Sequence, residues 1–466
     1  MKDRISAYID LQKNDFIRDL KSLVDIKSVR EEKKEGKPFG DGPARALEEA
    51  IKISASHGFS VINFDNYAGE ITLGEDPVLM LLSHLDVVDE GDFWTKEPYN
   101  MVIEDGKAYG RGTTDDKGAA LCCLYAMKAV RELFGTPKRG VRLCLGCGEE
   151  TGSEDMEYYF SKREYLPYTL SPDADYPLIN LEKGRYAPDF TKTAENEGEK
   201  RVLSFTGGNT KNIVPCKASA VISGIKEEEI TDIIKQCEKE TGVSFSTAEN
   251  DGVLSISALG VSAHAAHPEN GNNAGTALVY LINRLPLTEN EAALSFRSLE
   301  RLFPHNETDG TSSGVKMSEE KSGALTLNFG VLHFSDGKFT GALDLRCPLG
   351  ADEKNVKAVI EKALSENGFS PVGENEMIPV HFVPEDAPII KTALKVYEEY
   401  TGLPGKCLSI GGGTYVHSIP GGVAFGIEFP GTDYRIHGAD EFAVIDELLL
   451  TTKMYASIIY ELCYGE

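Results

Sequence analysis

Acids and histidines recur in this chain at the ends of apolar runs, where a fold can bring them together. Leu82-Ser83-His84-Leu85-Asp86 closes the first such run. Residues i and i+2 of an extended strand share a side, so the Asp86 carboxylate can reach the His84 ring. On a metal-bound imidazole that contact fixes the tautomer and raises basicity; elsewhere it is an ordinary structural pair. The string YGRGTTDDKG at 109–118 crowds Asp115 and Asp116 into a glycine-rich turn ahead of a helix. Helix capping accounts for one of these carboxylates, and the second asks for a cation. Glu149 and Glu150 directly follow another apolar run. Adjacent acids repel unless a metal or a proton intervenes, and if one ligates a metal the other can accept a proton. Asp173 stands in Ser171-Pro172-Asp173-Ala174-Asp175, and His437 in Ile436-His437-Gly438-Ala439-Asp440-Glu441. His84, Asp115, Glu150, Asp173 and His437 together offer two nitrogens and three carboxylates. That set suits two zinc-like ions sharing one carboxylate, with positions left for water. Magnesium would favour more oxygens and fewer imidazoles.

Positioning these groups takes alternating strands and helices. Asp41, Gly42 and Pro43 form a helix start before residues 44–56, and Gly58 stops that helix. Residues 78–82 are continuously apolar, as in a strand buried on both faces; a helix over 119–134 and a second apolar run over 141–145 follow. This rhythm predicts an α/β domain with a mixed, mostly parallel sheet and helices on both faces. Between 184 and 383 the texture changes to two similar sections. They hold amphipathic helices at 226–239 and 352–365 and strands at 218–221, 253–258, 325–329 and 339–345. An inserted, duplicated, ferredoxin-like α+β domain with antiparallel sheets and helices on one face is expected there. A helix over 388–400, a tight turn at Gly411-Gly412-Gly413, a buried strand over 423–427 and a final helix from Glu441 complete the chain. Residues 1–183 and 384–466 are thus expected to form a catalytic metal-binding domain, and 184–383 a lid domain.

A length of 466 residues fits two domains, and 41% hydrophobic with 26% charged residues is the balance of a folded globular protein. The net charge of −26 repels phosphate backbones and anionic lipid heads, which argues against nucleic acid and membranes as partners. No stretch approaches the roughly 20 apolar residues that span a bilayer, and the polar N-terminus lacks the apolar core of a signal peptide. Nine irregularly spaced cysteines make no disulfide framework, so a reduced, cytoplasmic protein is expected.

The strings SHLDVV, YGRGTTDDKG, GEETGSED, SPDADYPLINLEKG, VSAHAAHPENG and HGADEF, in this order, resemble the aminoacylase/carboxypeptidase/dipeptidase family of dinuclear zinc hydrolases. Within it the chain is most similar to the PepV-like dipeptidases of the Xaa-His dipeptidase or carnosinase type. The resemblance implies that Asp115 bridges two Zn²⁺ ions (Mn²⁺ or Co²⁺ as alternatives), that His84 and Asp173 complete one site, and that Glu150 and His437 complete the other. It makes Asp86 the residue that orients His84, and Glu149 the general base and acid. It also implies a cis peptide after the bridging Asp115. In the inserted domain it gives His264 the oxyanion of the tetrahedral intermediate, and Asn212 and Arg346 the substrate carboxylate. Backbone amides at Gly412 and Gly413 could add donors, because glycine permits close approach. The implied activity is hydrolysis of dipeptides with a free N-terminus, including β-Ala-Xaa, by a monomer. Asp89 replaces a common proline of the family, and the last motif lacks its usual asparagine, but neither is a presumed ligand.

Two other readings compete. A deacylase of N-acyl or N-succinyl amino acids would use the same metal set, and a catalytically silent peptide-binding protein would use the same fold. The CxxC spacing of Cys144 and Cys147 lies in a strand without a second pair, so core packing is expected there rather than redox work.

Overall fold

In the computed structural model, which describes residues 1–250 and 252–465, the strand Leu79–His84 is buried at every position. It pairs in parallel with Val141–Gly146 on one side and Tyr168–Ser171 on the other, and Gly422–Ala424 continues the parallel run. Antiparallel strands extend both sides, with Ala68–Leu73 beside Val141–Gly146 and Leu178–Glu182 beside Gly422–Ala424. Alternation along the strand explains why helices are needed on both faces. Leu79 and Leu81 join a core with the helices Asp41–Ser56, Lys117–Phe134 and Ile445–Cys463, whereas Met80 and Leu82 meet Met156 and Tyr159 of Glu154–Phe160. The mixed α/β sheet layered by helices is therefore observed.

The chain divides into two compact units. One holds Met1–Leu181, His381–Leu408 and Gly413–Glu466; the other holds Glu182–Val380 and Ser409–Gly412. The short stretch Ser409–Gly412 goes with the inserted unit, whereas the sequence pattern had assigned it to the terminal segments.

The inserted unit is built on one continuous ten-stranded sheet rather than on separate ones. Arg201–Gly207 pairs with Lys217–Ser223 of the first similar section and with Thr326–Ser335 of the second, which fuses the two. The helices Glu227–Thr241, Ala274–Ile282, Glu291–Leu302 and Ala358–Glu366 share one apolar core with that sheet. Ala274–Ile282, nine residues and buried almost throughout, and Glu291–Leu302 were not expected from the sequence pattern. Their signal is the cap: the Asn273 and Asn290 side chains accept from Thr276 N and Ala293 N.

Three expected elements differ. The strand over 423–427 is split at Gly426, whose φ of 77° turns the chain and whose missing side chain makes room for the Tyr176 ring. Ile427–Glu428 then pairs separately with Ala174–Asp175. The final helix begins at Ile445 rather than Glu441, because Phe442–Val444 forms a strand against Lys107–Tyr109. The expected helix at 352–365 opens on a π-helical turn, Glu353–Lys357. All nine cysteines are free, including Cys144 and Cys147, which are buried. No helix among the described residues is long and apolar enough to cross a membrane.

Candidate active site

In the first unit, strand ends and tight turns deliver seven titratable side chains to one place. His84 is the last residue of its strand and has no exposed surface. Its Nε2 lies 3.1 Å from Asp115 Oδ1 and 3.7 Å from Asp173 Oδ2. The other oxygen of Asp115, Oδ2, lies 2.9 Å from His437 Nε2, which is in turn 3.1 Å from Glu150 Oε1. Asp115 thus turns one oxygen to each histidine, the arrangement a bridging carboxylate needs. Two overlapping sets, His84 with Glu149 and Asp173, and His84 with Asp115 and Glu150, hold ligand atoms within 4.8 Å of one another.

The electrostatics follow from crowding acids in a buried place. Burial pushes the Glu149 carboxyl well up, and repulsion from Asp173 and Glu150 adds to this against the pull of His84. Burial and the Asp115 charge likewise raise Glu150 and Asp173. Burial also penalises an ionised Asp115, but His437 and His84 on either side outweigh that and hold its carboxyl below the usual range. Asp115 and Glu150 raise His437 to about 11.

Asp86 meets His84 differently from the expectation. The strand ends at His84, so the His84 Nδ1 contact of 3.0 Å is to the Asp86 backbone carbonyl, and the carboxylate is 3.5 Å away. That carboxylate also accepts from Glu149 N at 3.2 Å and Glu150 N at 3.1 Å, fixing the turn that carries both acids. The Asp115–Asp116 peptide is cis. Asp116 turns inward, where its Oδ2 accepts from the Ser83 hydroxyl and from His84 N.

The inserted unit carries the remaining expected residues. His264 Nδ1 accepts from Ala266 N at 3.2 Å, which leaves Nε2 to donate. Partial burial and the charge of Arg346 lower its pKa, so the ring is neutral at pH 7. Asn212 is exposed next to it: Ile213 bridges to His264, and the Asn212 carbonyl accepts from Ala265 N. The Arg346 guanidinium is already engaged, by Asp344 through Nε at 2.7 Å and by the Gly411 carbonyl at 2.8 Å. Gly412 has open space where a side chain would be, whereas Gly413 belongs to the first unit.

The profile of peptidase family M20/M25/M40 matches residues 80–461. The chain belongs to this family. Among curated relatives, YtjP of Bacillus subtilis strain 168 is 36% identical over 97% of this chain and 98% of its own length. The Beta-Ala-Xaa dipeptidase of Lactobacillus delbrueckii subsp. lactis is 33% identical over 98% of each. Among solved structures, human carnosine dipeptidase 1 shares the fold with a TM-score of 0.57 at 16% identity, covering 99% of this chain and 98% of that one. Aminoacylhistidine dipeptidase of Vibrio alginolyticus does so with a TM-score of 0.58 at 13% identity over 97% of each.

This M20/M25/M40 peptidase relies on several residues whose roles the sequence pattern did not show. Glu441 is wholly buried; its Oε1 accepts from Gly112 N, Thr114 N and Asp115 N at 3.0, 3.1 and 3.3 Å, and its Oε2 meets Arg111 at 2.7 Å. It is the template on which the Asp115 turn is folded. The HGADEF string contained it, but nothing local says that its partners lie some 330 residues upstream. Asp155 does the same for the next turn, accepting from Cys147 N at 2.7 Å, Gly148 N at 2.8 Å and the Tyr415 hydroxyl. Glu428 is raised to about 8 by burial and by the charges of Asp175, Asp173 and Asp115. Removing Glu441 strands the Arg111 charge in the interior. Glu441→Ala is therefore expected to cost about 3–5 kcal/mol, read as a lower urea midpoint at unchanged slope. A loss below about 1 kcal/mol would show that the pair is dispensable.

Proposed function

We propose that this peptidase hydrolyses dipeptides with a free N-terminus, β-Ala-Xaa among them, using two divalent cations held by His84, Asp115, Glu150, Asp173 and His437. One observation carries the reading. His84 Nε2 and Asp115 Oδ1 are buried, 3.1 Å apart, and neither has a hydrogen-bond partner, while further nitrogen and carboxylate donors surround them. Leaving buried polar atoms unpaired costs on the order of 1–3 kcal/mol each, and a cation between them removes that cost. The mix of two imidazoles with carboxylates suits zinc, with manganese or cobalt as alternatives. Asp115 would serve both ions, with His84 and Asp173 holding one and Glu150 and His437 the other.

Cations bound there would supply Lewis acidity, bringing the pKa of a water toward ~7 and polarising the scissile carbonyl. Glu149 takes the proton from the attacking water and delivers it to the departing amine nitrogen. Its raised affinity for a proton suits a group that must hold one between these two steps. Asp86 holds Glu149 and Glu150 in register through their backbone amides. Neutral His264 donates from Nε2 to the developing oxyanion, a contact worth roughly 3 kcal/mol. Asn212, Arg346 and the Gly412 amide hold the substrate carboxylate, with the Gly413 amide as a further donor, and the inserted unit that carries the first three serves as the substrate-binding lid. The name of the Lactobacillus relative supports the substrate class. The free state of every cysteine supports a reducing, cytoplasmic setting, and the protein acts as a monomer, which sedimentation of the pure chain checks.

The deciding experiment is a panel of β-Ala-His and Leu-Gly against N-acetylated and N-succinylated amino acids, run on chelated protein with each ion restored in turn. Metal-dependent cleavage of the dipeptides, with blocked substrates left intact, is the expected result. Cleavage of the blocked amino acids alone would make the protein a deacylase, and no turnover with any ion would leave a binding protein.

A further inference from the structure

Within the inserted unit, two arginines occupy directly opposed positions on neighbouring antiparallel strands. Arg185 of Gly184–Tyr186 is in register with Arg346 of Lys338–Cys347. Like charges facing each other across a ladder destabilise it unless something lies between them. Asp344, two residues before Arg346 and so on the same side, is that something. It has no exposed surface, and it accepts from Arg346 Nε at 2.7 Å on one oxygen and from Arg185 Nε at 2.9 Å on the other. The Arg185 terminal nitrogen Nη2 lies 2.6 Å from the same Asp344 oxygen.

The charges do not balance. Asp344 is the one acid that either guanidinium pairs with among the described residues, so the trio carries an excess positive charge in a protein of net charge −26. Donors are also left over. Arg346 spends three of its N–H groups on Asp344 and Gly411, of the five a guanidinium has. Arg185 uses Nε and Nη2 on Asp344, and its other terminal nitrogen has no partner among the described residues. Its side chain is 36% exposed, against 9% for Arg346 and none for Asp344, so Arg185 presents the excess charge at the surface. Thr326, the partner of Arg346 on the other neighbouring strand, donates its hydroxyl to the Ala265 carbonyl at 3.3 Å, so the strand carrying the trio's Arg346 adjoins the loop of His264, the residue already assigned to the substrate.

We propose that Arg185 is a second guanidinium anchor for the substrate carboxylate, joined to Arg346 through Asp344, which positions both. The chemistry is that of paired charge-assisted hydrogen bonds to a carboxylate. Arg185 therefore determines the preference for a free C-terminus over a neutral one. This rests on the dipeptidase reading above.

The test compares Leu-Gly with Leu-Gly amide, which differ only in the terminal carboxylate, on the wild-type enzyme, Arg185→Gln and Arg185→Lys. For Arg185→Gln, KM for Leu-Gly should rise about tenfold, the loss of one charge-assisted contact. KM for the amide should move less than about twofold, and kcat should be nearly unchanged for both. Arg185→Lys, which keeps the charge without the fork, should recover part of the preference. A structural role alone would shift both substrates together. Equal losses on the two substrates, or no change on either, would therefore overturn the assignment while leaving the dipeptidase intact. A wild-type enzyme inactive on both would instead overturn the reading beneath it.

Discussion

Glu149→Gln is expected to lower kcat by roughly 10²–10⁴-fold with the metal content of the protein unchanged. Glutamine keeps the shape and the backbone amide that donates to Asp86, but it cannot carry a proton from the water to the leaving nitrogen. Glu149 contributes to one of the ligand sets by proximity, so metal analysis of the purified variant has to accompany the kinetics. The thermal transition should hold or rise, because a partly buried carboxyl whose ionised form is disfavoured gives way to a neutral group. Two results would reassign the residue. Turnover near the wild-type level would remove the proton-transfer role, and loss of bound metal together with activity would make Glu149 a ligand. Glu150, one residue on, should behave in the second way, because its Oε1 approaches His437 at 3.1 Å.

Chelation is expected to take activity on dipeptides to background and to lower the melting temperature in the same step. The coupling is mass action: cations that bind the folded state and not the unfolded chain stabilise it, by about 4 kcal/mol when present at a thousandfold over Kd. Without them the folded protein keeps Glu149, Glu150 and Asp173 crowded and raised in pKa. His84 and Asp115 also keep their unpartnered buried atoms. Adding zinc, manganese or cobalt back to separate aliquots should restore both quantities together, and the ion giving the highest kcat/KM identifies the best occupant. Asp115→Asn should imitate chelation irreversibly, because it removes the negative charge and replaces one of the two oxygens, each of which faces a different histidine, with an NH₂ group that cannot ligate. Full activity in chelated protein verified to be metal-free would sink the metallopeptidase mechanism, and a restored activity with no change in melting temperature would sink the coupling.

The parts of this molecule legible in its sequence are those encoded locally. The apolar run before His84 reads as a buried strand because burial on both faces leaves no polar position in it. The helix Asp41–Ser56 announces itself through Pro43 in its first turn. The ligand candidates were legible because paired acids at the ends of buried strands repel one another unless a cation or a proton joins them. What remained hidden was encoded by pairing. The helix Ala274–Ile282 is short and buried almost throughout, so tertiary packing rather than periodicity decides it. Asp86 reaches the His84 ring with its carboxylate at 3.5 Å, but the strand ends two residues before it, so its backbone carbonyl makes the shorter contact and the carboxylate also holds the next turn. Arg346 was read for a substrate, and the structure first gives it Asp344 and Gly411.

Residue type and order alone determine the donor inventory: two imidazoles, a set of carboxylates and one acid left over for proton transfer. Side-chain chemistry is a property of the residue, so that inventory survives any fold that gathers it. Which oxygen faces which nitrogen is a different kind of fact. Asp115 lies between His84 and His437 because a parallel sheet brings strand ends together, and because Glu441, from the far end of the chain, folds the turn that carries it. Such contacts join residues hundreds of positions apart, and no local pattern records them; only the packed tertiary structure could decide them.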